Sequence, residues 1–300
     1  MIITPSIPEQ KVSISDFRLQ HRLRVRWSEV DMQKVVFNPH YLTYFDVAVS
    51  QYWRELALPY EHTLNTLNGD LFVKKASLEY NGSAVFDESL AVCLRCERTG
   101  RSSMTFKGAI FRDSEALILG EIVYVFVDQM SKTSKPIPDA LKELISRYEK
   151  AQETVNLRVG EWSELKEDAI KIRHDVFVKE QGVPLEIEID ELDQTGIHAV
   201  LYNGFNIPIA TARLVRSSHS PQTNASKIGR MAVRKDLRGS HWGSKVLKSL
   251  EGVAIARGDR FLSLSAQIQA KDFYTKHGFT QKGSVYEEAG ISHVEMIKNI

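Results

Sequence analysis

"IGRMAVRKDLRGSHWGSKVLKSLEG", residues 228–252, divides into three pieces. The first alternates as a strand does, and the last repeats apolar residues at three- and four-residue steps as a helix does. Between them lies a loop holding Arg238, Gly239, Ser240 and Gly243. A glycine-containing loop that feeds a helix starting near Ser244 gathers backbone N–H groups at the positive end of the helix dipole, where a pyrophosphate can bind. Arg238 adds a charge-assisted donor. The loop alone is not specific, so its neighbours decide its meaning.

Those neighbours alternate between helix and strand. Residues 162–181 have helical periodicity, 198–203 and 207–216 read as a hairpin, 260–267 as a strand, 270–279 as a short helix and 285–298 as extended chain. In order, "IRHDVFVKEQGVPLEIEIDELD", "HAVLY", "ATARLV", "KIGRMAV", "AQIQAKDFYTKHGF" and "EEAGISHVEM" resemble the branch of GNAT acetyltransferases that carries an "EQGVP" segment. The resemblance covers almost all of residues 157–300. The family's acetyl-CoA loop, R/Q-x-x-G-x-G/A, reads here Arg238-Gly239-Ser240-His241-Trp242-Gly243, with His241 replacing its first glycine.

That resemblance implies acetyl-CoA lying between two parallel strands, its pantetheine amides paired with the strand through Met231 and Val233. The pyrophosphate is expected over Arg238, Gly239, Ser240, Gly243 and Ser244, and Tyr274 is expected to protonate the departing thiolate. Direct attack of an amine on the thioester also needs a base. Glu180, Glu188 and His293 are the candidates, each with an ordinary alternative as surface charge or satisfied polar group. Tyr274 has the alternative of a packed aromatic, and Ser265 stands where the branch commonly has Asn. "RHDVFVKEQGVP" with "DELD" also resembles the acyl-homoserine-lactone synthases, which keeps open a longer-chain N-acyltransferase.

Upstream, residues 128–156 form a polar, Pro-containing stretch that leads into a polar helix and reads as a closing element plus linker. With 300 residues, two cores are expected, residues 1–150 and 151–300, and the halves show no internal repeat.

In the first half, "EVDMQKVVFNPHYLTYFDVAVSQYW" (residues 29–53) follows a strand-like run at 17–27. Tyr41, Tyr44, Phe45, Ala48, Tyr52, Trp53 and Leu56 mark a helix from Pro39, a residue suited to a first helical turn. Four strand-like runs follow at 72–80, 89–98, 103–111 and 119–127, which describes a helix packed on an antiparallel sheet. With Asp31 in place, this half resembles the hotdog-fold acyl-CoA thioesterases of the 4-hydroxybenzoyl-CoA type. Their "D-x-x-G-x-V" reads Asp31-Met32-Gln33-Lys34-Val35-Val36, with Asn38 and "HYLTYF" following.

The resemblance implies a dimer or tetramer with active sites at subunit interfaces. Asp31 would attack the thioester or activate water, and Asn38 would position water or the carbonyl. A carboxylate near a helix start can lie beside backbone N–H groups that polarise a thioester carbonyl. Lys34 replaces the family's glycine, which narrows the site, recruits an anionic substrate or marks lost activity. The alternative for Asp31 is that it closes a turn or caps the helix.

The formal net charge of +1, from Lys+Arg 39 against Asp+Glu 38, gives no whole-chain case for nucleic acid or an anionic membrane. Cys93 and Cys96 are too few for four metal ligands and poorly placed on one strand for a disulfide, so they read as ordinary thiols. Residues 1–15 have no basic-then-apolar targeting pattern, and no run reaches about 18 apolar residues.

The expected fold class is α+β: an N-terminal hotdog fold, with an antiparallel sheet around a long helix, then a C-terminal GNAT α/β domain with a mixed sheet. The expected protein is cytoplasmic and hydrolyses acyl-CoA thioesters as well as moving acetyl groups to a small amine. Acetyl-CoA or acyl-CoA serves as substrate, no metal is needed, and the hotdog domain forms a homo-oligomer. The rivals are a non-catalytic CoA or acyl-CoA binding protein and a transferase that the hotdog half merely dimerises.

Overall fold

The helix expected from Pro39 runs over Pro39–Glu55 (α1) and buries Tyr41, Tyr44, Phe45, Ala48, Val49, Tyr52 and Trp53. The computed structural model describes residues 12–217 and 224–300, so most of the stretch read for a targeting pattern lies outside the described residues. The chain forms two compact units that divide between Thr154 and Val155.

In the first unit, α1 packs on five antiparallel strands: β1 (Leu19–Arg24), β2 (Gly69–Tyr80), β3 (Ser89–Thr99), β4 (Ser103–Arg112) and β5 (Glu115–Asp128), in the order β1-β3-β4-β5-β2. This is the expected antiparallel sheet around a long helix. The seat of the helix is a pair of glycines. Gly108 on β4 faces Gly120 on β5 in register, and a Cβ built on Gly108 would lie 2.3 Å from Cε1 of Phe45. The fully buried Phe45 ring occupies the volume those two side chains would fill.

A closing helix, α3 (Asp139–Glu149), covers more of the core; α2 (Tyr60–Thr66), a short helix not expected from the sequence, precedes β2. Tyr148 meets Tyr52 edge to face at 5.1 Å. Glu149 Oε1 accepts from the Tyr52 hydroxyl at 2.5 Å and from the Cys96 N–H at 2.7 Å, while burial raises its pKa. Cys93 and Cys96 are free and buried, their thiols pushed up to about 12 mainly by burial.

The second unit is a seven-stranded sheet of order β11-β12-β10-β9-β8-β7-β6. Its strands are β6 (Asn156–Glu161), β7 (Ile197–Tyr202), β8 (Pro208–Arg216), β9 (Ala225–Val233), β10 (Phe261–Gln267), β11 (Thr280–Glu288) and β12 (Ile291–Asn299). β9 and β10 run parallel and every other pair is antiparallel, which gives the expected mixed sheet. β6 escapes a sequence reading because "NLRVGE" lies at the sheet edge and has little apolar alternation to show.

The helices of this unit include α4 (Trp162–Arg173), α7 (Trp242–Ala256) and α8 (Lys271–Lys276), with the short α5 (Leu185–Glu188) and α6 (Leu192–Thr195). The single helix expected over 162–181 changes winding partway: His174–Glu180 is a π-helix. Among the described residues, no helix is long and apolar enough to cross a membrane.

Replacing Gly108 by Ala forces the new methyl into a ring that cannot retreat, and is expected to destabilise the first unit by about 1–3 kcal/mol. Calorimetry on the full chain should show that transition fall, and Phe45→Leu in the same chain should recover part of it.

Candidate functional site

Strands β9 and β10 pair only from Ala225 to Ile228 against Phe261 to Leu264. Beyond that point β9 keeps only β8 and β10 keeps only β12. The cause is visible in β9. Thr211 faces Ala232 but Arg213 faces Gly229, so β9 carries one extra residue there, and Arg230 takes a left-handed φ of 50°. Such a bulge bends its strand and frees backbone groups from the ladder. The gap opens into a cavity of about 1050 Å³ lined from β9 by Gly229, Met231 and Val233, and from β10 by Ser265 and Gln267.

Arg238, Gly239, Ser240 and Gly243 line the same cavity; Ser244 does not. Helix α7 begins at Trp242, so Gly243 and Ser244 fall within its first turn. Gly239 has a φ of 83°, which suits glycine. His241, at the family-glycine position, keeps a φ of −81° and an exposed side chain that does not enter the cavity, so it neither strains nor fills the loop. The Ser240 hydroxyl is buried with no hydrogen-bond partner among the described residues, which fits a site awaiting an anionic oxygen.

Arg238 is differently engaged than expected. Its guanidinium forms a fork with Glu180, both bonds 2.7 Å, and its Nε donates to the Val233 carbonyl at 3.0 Å. The Arg238 partner holds Glu180 below the usual carboxylate range. Tyr274, on α8, lines the cavity and its hydroxyl lies 3.5 Å from the Met231 sulfur. Burial pushes its phenol up to about 12, so it keeps its proton at neutrality and is equipped to donate it.

A buried charge network, which sequence reading did not find, builds one wall. Arg173 reaches Glu188 at 2.5 Å and Asp193 at 2.8 Å; Arg213 reaches Asp190 at 2.5 Å and Asp193 at 2.7 Å. Arg230 donates to Asp190 at 2.9 Å and to the carbonyls of Ile187 and Glu188. Burial opposes ionisation of Asp193, but Arg173 and Arg213 outweigh it and hold its carboxyl low; for Glu188 burial wins and its pKa rises. The acidic run "EIEIDELD" gave the signal on one side, but the arginines come from α4, β8 and β9.

In the first unit Asp31 starts a tight loop. Its N–H donates to the Val35 carbonyl at 2.9 Å, its carbonyl accepts from Lys34 at 3.0 Å, and its Oδ1 accepts from the Gln33 N–H at 2.8 Å. Lys34 takes the left-handed conformation at φ 64°, the geometry that explains a glycine in the family pattern. Asn38 is exposed, directly precedes α1 and makes no side-chain cap bond. Glu29 was missed: it is buried and accepts from the Tyr44 hydroxyl and the Arg26 N–H, each at 2.7 Å, which ties the short 3-10 turn Trp27–Glu29 before Asp31 to α1. Trp27, Met32, Phe37, Val85 and Phe86 are exposed apolar side chains of this loop and its neighbours. Among the described residues, no three His, Cys, Asp or Glu side chains group as a metal ion would need.

Residues 177–300 match the family model described as "Acetyltransferase (GNAT) domain", and residues 33–119 match "Thioesterase superfamily". Over 133 residues the chain is 38% identical to the "Uncharacterized N-acetyltransferase YjcF" of Bacillus subtilis (strain 168), covering 44% of this chain and 91% of that protein. It is 33% identical over 133 residues to "Protein ElaA" of Escherichia coli (strain K12), covering 44% and 85%. A solved 1,4-dihydroxy-2-naphthoyl-CoA thioesterase from Synechocystis covers 43% of this chain and 95% of its own, at 15% identity and a TM-score of 0.40.

Asp193→Ala leaves Arg173 and Arg213 short of a buried carboxylate and is expected to destabilise the second unit by about 3–5 kcal/mol, read from its denaturation midpoint. Lys34→Gly removes the left-handed strain and is expected to stabilise the first unit by about 1 kcal/mol, read from its melting temperature.

Proposed function

Because this chain belongs to the GNAT acetyltransferases through its C-terminal half and carries a thioesterase-superfamily domain before it, we propose that it is a bifunctional enzyme: residues 1–150 hydrolyse an acyl-CoA thioester, and residues 151–300 transfer the acetyl group of acetyl-CoA to a small amine. The observation that carries the transferase reading is the parting of β9 from β10, with the glycine loop and Tyr274 lining one cavity.

In that cavity the β9 backbone at Met231 and Val233, on the edge that β10 leaves, pairs with the pantetheine amides. Gly239, Ser240 and Gly243 hold the pyrophosphate with Arg238, and Ser244 supports the helix start. The amine attacks the carbonyl carbon, the C–S bond breaks, and Tyr274 gives its proton to sulfur.

For hydrolysis, Asp31 serves as nucleophile or general base and Asn38 orients the water or carbonyl. The exposed apolar ring around the Asp31 loop and the outer edge of β2, where Phe72, Val73 and Tyr80 are exposed, support a homo-oligomer through the hotdog domain. Two buried free thiols and the absence of an apolar spanning helix among the described residues agree with a cytoplasmic protein. One observation favours a second reading, in which the hotdog half only dimerises an N-acyltransferase: Asp31 Oδ1 is already taken by the Gln33 N–H.

A screen of acyl-CoA thioesters with free-thiol detection, with and without amines, tests both halves. Asp31→Asn is expected to lower hydrolysis at least about 100-fold while sparing transfer, and Tyr274→Phe to do the reverse. Hydrolysis that survives Asp31→Asn moves the hotdog half to the dimerisation reading; transfer that survives Tyr274→Phe removes that residue as the acid.

A further inference from the structure

The transferase reading leaves open which group takes the proton from the amine, and the cavity narrows the choice. Glu180 has both oxygens in the Arg238 fork. Glu188 Oε1 is held by Arg173, and its Oε2 faces Arg230 at 3.5 Å. Each carboxylate is committed to holding the walls together.

His293 is differently placed. It lines the cavity from β12, opposite Gln267 on β10 and Tyr286 on β11. Its Nδ1 lies 2.8 Å from the Ile291 carbonyl oxygen. A carbonyl only accepts, so Nδ1 carries the hydrogen and the neutral ring keeps its lone pair on Nε2. The Tyr286 ring stacks on the imidazole, with centroids 6.2 Å apart and 25° between planes, which fixes the ring plane. Beside it, Ser265 joins the Tyr286 hydroxyl and lies 3.2 Å from Glu288 Oε2. Ser265 and Glu288 line the same cavity as Tyr274.

Resting on the transferase reading, we propose that His293 is the general base of acetyl transfer and that Glu288 holds a second cationic or polar end of the acceptor, which is a primary amine arriving as an ammonium ion. Nε2 of His293 takes one ammonium proton, and the freed lone pair forms the N–C bond to the thioester carbonyl. The tetrahedral intermediate collapses with loss of the C–S bond, and the CoA thiolate takes the Tyr274 proton. The proton remaining on the new amide nitrogen returns through water to the Tyr274 phenolate, and His293 releases its own to solvent. Ammonium ion and thioester thus give amide, free thiol and one proton.

The test uses the purified full chain with acetyl-CoA and three acceptors: 1,4-diaminobutane, lysine and 2-phenylethylamine. For the acceptor that wild type uses, His293→Ala is expected to lower kcat at least about 100-fold. Its acetyl-CoA affinity should stay within about threefold of wild type, and added imidazole should restore turnover in a saturable way. His293→Gln should be as slow, and Glu288→Gln should raise the KM for 1,4-diaminobutane more than it lowers kcat.

An His293→Ala enzyme with wild-type kcat overturns the proposal. So does a slow variant that has lost acetyl-CoA binding and gains nothing from imidazole, since the residue is then structural. A wild type that transfers acetyl to none of the three acceptors overturns the transferase reading and this proposal together, whereas failure confined to the His293 variants leaves that reading standing.

Discussion

One extra residue in β9 governs the second unit. A regular parallel pair leaves no space between its strands, because each backbone group is spoken for by the neighbouring chain. The bulge at Arg230 ends that pairing after Ile228 and exposes the inner edges of both strands. Its left-handed backbone is unfavourable for arginine, by roughly 1–2 kcal/mol. The side chain offsets this by fastening to Ile187, Glu188 and Asp190, so the residue that opens the gap also secures its far wall. Gap and wall are therefore one construction.

The first unit answers the opposite problem, closure around a helix. Two facing glycines let one aromatic ring sink between strands, and α1 is held along the sheet by that contact. Glu29 and Glu149 then clip two tyrosines of α1, Tyr44 and Tyr52, to the 3-10 turn before the Asp31 loop and to the closing helix. What the sheet does not cover is left apolar at the Asp31 loop and along β2.

Much of this was legible in residue order. The aromatic stripe of α1, the strand series and the "RGSHWG" loop follow from local periodicity and from glycine chemistry, and these the structure reproduces. Asp31, Tyr274 and the loop residues were singled out because each belongs to a short linear pattern. The charge network was not, because Arg173, Arg213 and Arg230 are separated along the chain and only the folded sheet brings them to one acidic segment. Gly108 and Gly120 were invisible for the same reason: each is an ordinary strand glycine until register sets it opposite the other. The turn of the helix into π winding at His174 has no periodic signal at all, since the apolar spacing continues through it. Ser244 was named by its place in a motif, and the structure sets it in the first turn of α7 rather than among the residues that line the cavity.

The two cysteines bear on the chemistry in another way. Both proposed reactions release a thiol, and a thiol released repeatedly beside a protein thiolate would capture it as a mixed disulfide whenever an oxidant is present. Cys93 and Cys96 are buried and ionise only near about 12, so the chain offers its own product no reactive sulfur. Chemical silence of the protein's sulfur is thus built into the same sheet that seats the helix.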